Sequence, residues 1–405
     1  SYTFQYTYLW WPMEDYKRLT GSTLWEWLTD RQKRTALWHI FYDRDYRLYD
    51  EITGKQHVLN RWPLRNEFRF YLRKDVVDRM WNLGVGPAGE PEPETDPYES
   101  GWQPLVARQA WGAEGSETGS FHWPRGIAVS PDGSAVYVAD SQNHRIQKFS
   151  ADGQFLTAWG RFGGCPDETP APGTFCEPWD VAVGEDGAVY VADTWAHRVQ
   201  KFSADGQFLT QWGSFGLYGT ADPLGNGYFY GPRGIAVGPD GAVYVSDTGN
   251  KRVQVFTPDG RFLRQWGGAG TEPGRLDEPV GIAIDPDGQA YVVDSWNFRV
   301  QVLEGDGTPL QSWPIAGWNN TAVEEKPYIA VGENGQVYVS DPGHYRVLVF
   351  DRDGNYRYSF GQFGFDSASF ALPMGVASGP DGLLYVSDAA NHRLMVFDLS
   401  TIEMR

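Results

Sequence analysis

Cysteine is scarce in this 405-residue chain, with only Cys165 and Cys176 present. That excludes a scaffold built on many disulfides and a zinc site of paired cysteines. The two sit in one apparent loop, which predicts a local disulfide and an oxidising compartment; two free thiols in a cytosolic loop are the alternative. No window of 18 apolar residues occurs, so no helical membrane span is expected here. The sequence opens at Ser1 without a charged leader and apolar core. The expectation is that whatever preceded Ser1 has been removed. Also missing are a Ser-His-Asp order, a nucleophile elbow and a Gly-rich phosphate loop.

Basic charge is short overall, and its shortage is uneven. Residues 1–83 carry 14 Lys and Arg against 11 Asp and Glu, whereas residues 84–405 carry 20 against 41. So acidic a main region repels phosphate backbones, and no nucleic acid partner is expected. What the chain has in abundance is aromatic residues (18 Trp, 22 Tyr, 22 Phe) and turn formers, 48 Gly and 26 Pro. Many short strands joined by tight turns suit that composition.

The ordering principle is a repeat. Tyr-Val-x-Asp, four residues, then Arg and an apolar run occurs as YVADSQNHRIQKF (137–149), YVADTWAHRVQKF (190–202), YVSDTGNKRVQVF (244–256), YVVDSWNFRVQVL (291–303), YVSDPGHYRVLVF (338–350) and YVSDAANHRLMVF (385–397). The anchors Asp140, Asp193, Asp247, Asp294, Asp341 and Asp388 are spaced 53, 54, 47, 47 and 47 apart. Each copy reads as four strands separated by Asp-Gly turns, which are hairpin signals. Four strands per period of this length predicts a mainly β fold, a six-bladed β-propeller. The last copy is one outer strand short, and LVARQAWG (105–112) matches FLTAWG (155–160), FLTQWG (208–213) and FLRQWG (262–267). Residues 105–112 are therefore expected to complete the sixth blade and close the ring. The pairs Asp140–Arg145, Asp193–Arg198, Asp247–Arg252, Asp294–Arg299, Asp341–Arg346 and Asp388–Arg393 recur in every copy and are read as loop-fixing hydrogen bonds rather than catalytic groups. His144, His197 and His392, in the same loops, are read as structural.

The Asp-x-x-Asn-His-Arg core of the first and sixth copies resembles the NHL repeat; copies two to five depart from it at the Asn or His. The resemblance covers about 105–405 and implies a fold rather than a function, since such propellers serve as enzymes, RNA binders and adaptors. The enzymatic relatives it brings in, the peptidyl-hydroxyglycine amidating lyases, hold zinc through histidines that follow Pro just before the first strand. The matching positions here are Arg125, Arg233 and Met374, and His122 is three residues off register. The resemblance to that zinc chemistry is therefore rejected on the residues, and no metal site is assigned. Calcium held by backbone carbonyls in the channel is left open by the sequence, and no cofactor is called for. The sequon Asn319-Asn320-Thr321 is noted.

In the expected topology the loops after the Asp strands and those before the first strands share one face. One residue per blade precedes the innermost strand there: Arg125, Trp179, Arg233, Val280, Tyr328 and Met374. Arg125 and Arg233 with Trp179 and Tyr328 are candidate ligand-binding groups, by fork hydrogen bonds and ring stacking; the alternative is that they plug the channel. Trp195, Trp296, Phe298 and Tyr345 in neighbouring loops extend the candidate surface, and the longer loops 161–178 and 214–232 enlarge it.

Residues 1–83 read as a small α+β lobe: a strand over 1–11, a helix from Thr23 with a capping box at Glu26, a hairpin over 46–60, a strand over 68–73 and a short helix over 75–81. Residues 84–104 read as a Pro, Gly and acid-rich linker. The runs WWPMEDYKRLT (10–20) and NRWPLRNEFRFYLRKDV (60–76) resemble soluble segments of GT-C glycosyltransferase-like, flippase-activity-associated membrane proteins. That resemblance implies membrane association through spans upstream of Ser1. Arg65, Arg69 and Arg73 are read as a solvated strand face over a phosphate site. From all this the first expectation is a non-catalytic extracytoplasmic propeller that binds a glycan, peptide or protein on its loop-rich face. A metal-dependent propeller hydrolase or lyase is the alternative.

Overall fold

The computed structural model describes residues 47–50, 55–58, 96–165, 171–216, 225–318 and 326–401. The chain divides into two units, Ser1–Thr95 and Asp96–Arg405. In the first, strands Arg47–Asp50 and Lys55–Val58 pair antiparallel, with Asp50 opposite Lys55. The other elements expected over 1–83, Arg65, Arg69 and Arg73, the runs 10–20 and 60–76, and the sequon at 319–321 lie outside the described residues.

The second unit is a ring of six antiparallel blades. Blade one runs Pro124–Val129, Ala135–Asp140, Arg145–Ser150, Phe155–Trp159. Blade two runs Pro178–Val183, Val189–Asp193, Arg198–Phe202, Phe208–Trp212. Blade three runs Gly234–Val237, Val243–Asp247, Arg252–Phe256, Phe262–Gly267, and blade four Pro279–Ile284, Ala290–Asp294, Arg299–Leu303, Pro309–Pro314. Blade five is Ile329–Val331, Gln336–Asp341, Arg346–Asp351, Tyr356–Phe360. Blade six is Pro373–Ser378, Leu383–Asp388, Arg393–Asp398, completed by Gln109–Trp111. Trp111 pairs with Leu394 across that closure, so the ring shuts as the WG pattern predicts.

The second strand of each blade is buried along its whole length, or in blades five and six along all but its first residue, because sheets pack on it from both sides, and its residues before the Asp are mostly apolar or small on both faces. The outer strands alternate, as half-exposed strands do. The apolar core is divided among the seams between blades: Tyr137 and Ile146 of blade one, for example, pack with Phe175, Val181 and Val191 of blade two. Each outer Trp lies over a turn glycine of the next blade. A methyl on Gly206 would come within 2.5 Å of Trp159, and one on Gly153 within 2.6 Å of Trp111. The glycine is required twice over, since Gly206 also has φ +84°.

The repeated Asp ties together its own loop and the loop before its blade. Asp140 Oδ1 accepts from His122 N–H at 2.7 Å; Oδ2 accepts from Asn143, from Arg145 Nε at 2.7 Å and from Gln147. Asp193, Asp247, Asp294, Asp341 and Asp388 pair with Arg198, Arg252, Arg299, Arg346 and Arg393 in the same way. Arg145 also donates to the carbonyls of Ser116, Glu117 and Ser120, so the guanidinium is fully engaged in holding loop backbone. Cys165 and Cys176 form a disulfide, Cα–Cα 5.2 Å.

Part of the stretch read as linker belongs to the blades. Tyr98 is buried in the seam of blades four and five, its ring 4.8 Å from Tyr356. Asp96 pairs with Arg346, and Trp102–Gln103 adds a parallel strand outside Tyr356–Phe360.

Candidate functional site

The innermost strands converge where Pro opens each one. Close approach of their backbones demands glycine at the next register: a methyl on Gly281 would meet Tyr328 Cα at 2.7 Å, and Gly126, Gly234 and Gly375 are equally crowded. Blades two and five break the pattern with Asp180 and Tyr328. Tyr328 N–H donates to Ser340 Oγ as Gly375 N–H does to Ser387 Oγ. Tyr328 therefore stands at the glycine register, not at the Arg125 register where the sequence reading put it; blade five is one residue shorter between Pro327 and Ile329. From there its hydroxyl donates to the Trp179 carbonyl at 2.9 Å, spanning from blade five to blade two. Burial lifts its pKa far above the usual phenol range, so it is a fixed donor at neutral pH.

Asp180 is fully enclosed. Its Oδ1 accepts from Val181 N–H at 2.9 Å and Oδ2 from Ile235 N–H at 3.0 Å, and burial nevertheless pushes its pKa up to about 8. At neutral pH the group is mainly the neutral acid. Sequence reading missed Asp180; the signal was its replacement of Gly in the Pro-x-Gly-(Ile/Val)-Ala pattern.

Above this layer, cations lie on indoles. The Arg125 guanidinium sits 3.8 Å from the Trp179 ring centroid and that of Arg233 4.5 Å from the same ring. Arg233 is also 5.9 Å from the Trp195 ring, and Lys326 Nζ is 5.2 Å from that of Trp296. Glu278 Oε2 lies 3.7 Å from Arg233 Nη1 and 3.2 Å from Lys326 Nζ. Glu278 and Lys326 were not picked out from the sequence, because nothing in their local pattern distinguishes them from other loop charges. Arg125 and Trp179 are essentially inaccessible, and Arg233, Tyr328, Val280 and Met374 are buried too. The six do not form an open rim, as one sequence reading had it; they pack as the floor of the mouth. Trp195 and Trp296 are half-buried, and Trp195 Nε1 donates to Glu177 at 3.0 Å. Phe298 and Tyr345 are not brought to the floor. Both occupy the left-handed position after the Asp strand (φ 54° and 58°), where Tyr345 meets the Phe363 ring.

The zinc set of the amidating lyases does not fit these residues. Arg125, Arg233 and Met374 stand where imidazoles are needed, and a guanidinium offers no lone pair to a metal. Among the described residues no group of three His, Cys, Asp or Glu side chains is placed to hold an ion. On the opposite, turn-bearing face an open hollow of about 700 Å³ is bounded by Asp240, Arg264, Asp287 and Asp306. There Arg264 is taken up by the Gly305 carbonyl and the Tyr244 hydroxyl.

Five stretches match the NHL repeat, residues 121–149, 175–202, 229–256, 276–303 and 370–397. Over 152 residues the chain is 32% identical to mouse (Mus musculus) peptidyl-glycine alpha-amidating monooxygenase, covering 36% of this chain and 15% of that one. Over 155 residues it is 28% identical to a probable peptidyl-alpha-hydroxyglycine alpha-amidating lyase of Caenorhabditis elegans, covering 38% and 42% respectively. The chain thus spans well under half of either relative. A gluconolactonase from Xanthomonas campestris superposes with a TM-score of 0.50 at 16% identity, covering 72% of this chain and 96% of that one, a likeness of fold alone. The residues carrying the glycosyltransferase-like resemblance find no support in these matches. The amidating relatives overturn the first expectation, a non-catalytic binding propeller, and favour the enzymatic alternative. The chain carries NHL repeats on a six-bladed β-propeller.

Proposed function

We propose that the propeller is an enzyme of the lyase or hydrolase kind. Its site is the loop-face mouth, and its substrate carries an oxyanion, such as a carboxylate, that is drawn by Arg125, Arg233 and Lys326 buried beneath that mouth. The observation that carries this reading is the stacking of Arg125 and Arg233 on one buried indole, Trp179, in a chain whose repeats resemble amidating enzymes. Cations gathered on aromatic surface in an otherwise acidic protein form a local positive well, and guanidinium forks match carboxylate oxygens. With Asp180 mainly protonated, it subtracts little from that charge.

The worm relative's name specifies a peptidyl-α-hydroxyglycine. Such a molecule ends in a carboxylate and carries a hydroxyl on the carbon bonded to the amide nitrogen, so its cleavage needs a held anion and a group that moves a proton. Arg125 and Arg233 supply the first. Glu278, in contact with Arg233 and Lys326, is placed to supply the second. Fixed cations take over the electrostatic role that a metal plays elsewhere. An extracytoplasmic setting belongs to the same proposal, supported by the Cys165–Cys176 disulfide.

The test is turnover of a peptidyl-α-hydroxyglycine, with a panel of lactones and esters alongside. We expect Arg125→Met and Arg233→Met each to lower kcat/KM on the order of 100-fold, the scale of a lost oxyanion donor. Chelators should leave the wild-type rate unchanged. No turnover anywhere in the panel, or variants as fast as wild type, overturns the proposal.

A further inference from the structure

Three of the seams between blades are joined on the loop face by an imidazole that accepts a backbone hydrogen bond. Glu177 N–H donates to His144 Nδ1 at 3.1 Å, Gly231 N–H to His197 Nδ1 at 3.0 Å, and Trp123 N–H to His392 Nδ1 at 3.3 Å. In each case the donor belongs to the next blade and directly precedes the proline that opens its innermost strand. It therefore lies two residues before Trp179, Arg233 and Arg125 respectively. All three donors have left-handed backbone, Trp123 at φ 55°, Glu177 at 54° and Gly231 at 60°. For Trp123 and Glu177 that conformation is disfavoured; Glu278, before Pro279, takes it too at φ 50°, at a seam where Lys251 stands in place of the imidazole.

The corresponding left-handed positions in blades three, four and five are Lys251, Phe298 and Tyr345. None presents an imidazole acceptor. Lys251 instead makes an ion pair with Asp277 at 2.9 Å. The strands beyond those seams bring Val280, Tyr328 and Met374 to the floor, none of which places a guanidinium on Trp179. Imidazole latches thus coincide with the three blades that bring Arg125 and Arg233 onto Trp179. If these histidines were only general braces of the ring, nothing would tie them to those three blades.

We infer that His144, His197 and His392 are positioning residues for the mouth, each holding through Nδ1 the turn that aims Trp179, Arg233 and Arg125. The inference rests on reading the mouth as the site. Nδ1 accepts only in the neutral ring, with the proton on Nε2. Protonation sets a ring N–H against a backbone N–H and opens the latch. The surroundings favour the neutral form. His144 faces the Phe162 ring at 4.9 Å and is pulled down by burial, opposed by Glu177 and Asp140 and helped by His122. His197 faces Phe215 and Tyr230, and burial alone brings it to about 4. His392 lies 5.6 Å from the His122 ring and is pulled down by burial and His122, opposed by Glu114, Asp140 and Asp388. A lowered folded-state pKa means the latch is intact above the unfolded value near 6.5 and is lost as pH falls through the folded value.

The experiment is 19F NMR of the full chain labelled with 5-fluorotryptophan, the Trp179 resonance being assigned with Trp179→Phe. Each histidine is replaced by Phe, the native residue at this position in blade four, and by Asn, whose Oδ1 stands near the place of Nδ1 and which tolerates left-handed backbone. At pH 7.5 we expect each Phe variant to move the Trp179 signal and each Asn variant to leave it near wild type. Tyr345→Phe, at a seam without a latch, should leave it unmoved. Acidifying wild type below pH 6.5 should move the signal while circular dichroism shows the blades intact, and the triple Asn variant should lose that response. Phe variants that melt earlier but keep the wild-type Trp179 signal reduce the histidines to braces and overturn the inference. Should a Phe variant fail to fold, the wild-type titration decides: a Trp179 signal that stays still while ring 15N shifts report histidine protonation also overturns it. Inorganic phosphate is the separate probe of the site itself. If it fails to shift Trp179 in wild type, the anion-binding reading fails while the latch result stands.

Discussion

Asp180→Asn tests the charge state of the mouth directly. The wild-type carboxyl, enclosed among innermost strands, has its pKa pushed up to about 8 from an ordinary 3.8. A carboxyl raised in the folded state binds a proton there that the unfolded chain has released. Its stabilisation is therefore complete below about pH 3.8 and drains away as pH rises towards 8. The slope across that window is about 1.4 kcal/mol per pH unit, or about 3 kcal/mol between pH 5 and pH 7. Asparagine does not titrate, but its amide group cannot accept from both Val181 and Ile235 as the acid does. One lost acceptor for a buried N–H costs about 1–3 kcal/mol at every pH. The variant should therefore be less stable than wild type at pH 4, draw level between about pH 4.5 and pH 6, and be the more stable protein at neutrality. Urea unfolding at pH 4, 5, 6, 7 and 8 measures this, because other titrating groups cancel in the difference between the two proteins. Parallel curves for wild type and variant would mean that Asp180 is already ionised at pH 5. It would then offset one cation of the mouth, and the positive well proposed for the substrate would shrink accordingly.

Two further outcomes test the ring itself. Gly206→Ala, against the Trp159 ring and at φ +84°, should cost about 3 kcal/mol. Gly382→Ala, at φ +77° with open space around it, should cost only about 1 kcal/mol; equal losses in thermal or urea unfolding would show that the Trp contact contributes nothing. Cys165→Ser, which opens a disulfide closing a sequence separation of 11, should lower stability by about 3 kcal/mol on the chain-entropy estimate, read as the difference in urea unfolding. A variant as stable as wild type would refute that estimate.

The ring was legible in the sequence because every blade restates the same local chemistry. Asp with Arg five residues later recurs in all six blades and a terminal Trp-Gly in four, and with the Gly turns each encodes a contact within one blade or with its neighbour, so the copies reinforce one reading. What escaped was non-local. Tyr98 and Asp96 find Tyr356 and Arg346 some 250 residues away in sequence, and a two-residue strand at Trp102 carries no periodicity to recognise. The floor of the mouth was legible by position but not in its packing. Arg125, Trp179 and Arg233 were picked out, yet the sequence does not say whether they stand as an open rim or pack together, and they are buried as the floor of the mouth. Tyr328 was misplaced by one register because blade five drops a residue after Pro327, a deletion that shifts which side chain faces the axis.

Absence of imidazoles at the three positions after proline excludes the zinc chemistry of the amidating lyases without excluding catalysis. The residues at Arg125, Arg233 and Met374 decide whether zinc can be held, and they decide against it. Whether the mouth can stabilise developing negative charge depends instead on fixed positive groups in a dry setting. There the structure gives Arg125 and Arg233 on Trp179, and Lys326 beside Glu278. Glycine is replaced on just two innermost strands, by Asp180 and Tyr328, and the Tyr328 hydroxyl reaches the Trp179 carbonyl. That hydrogen bond ties the blade bearing the indole to blade five, so the surface on which the guanidiniums rest is braced from across the ring. A ring needing only to be stable would be served by glycine at all six places, as it is at four. The two exceptions both bear on the Trp179 strand, one as its neighbour in sequence and one as its hydrogen-bond donor.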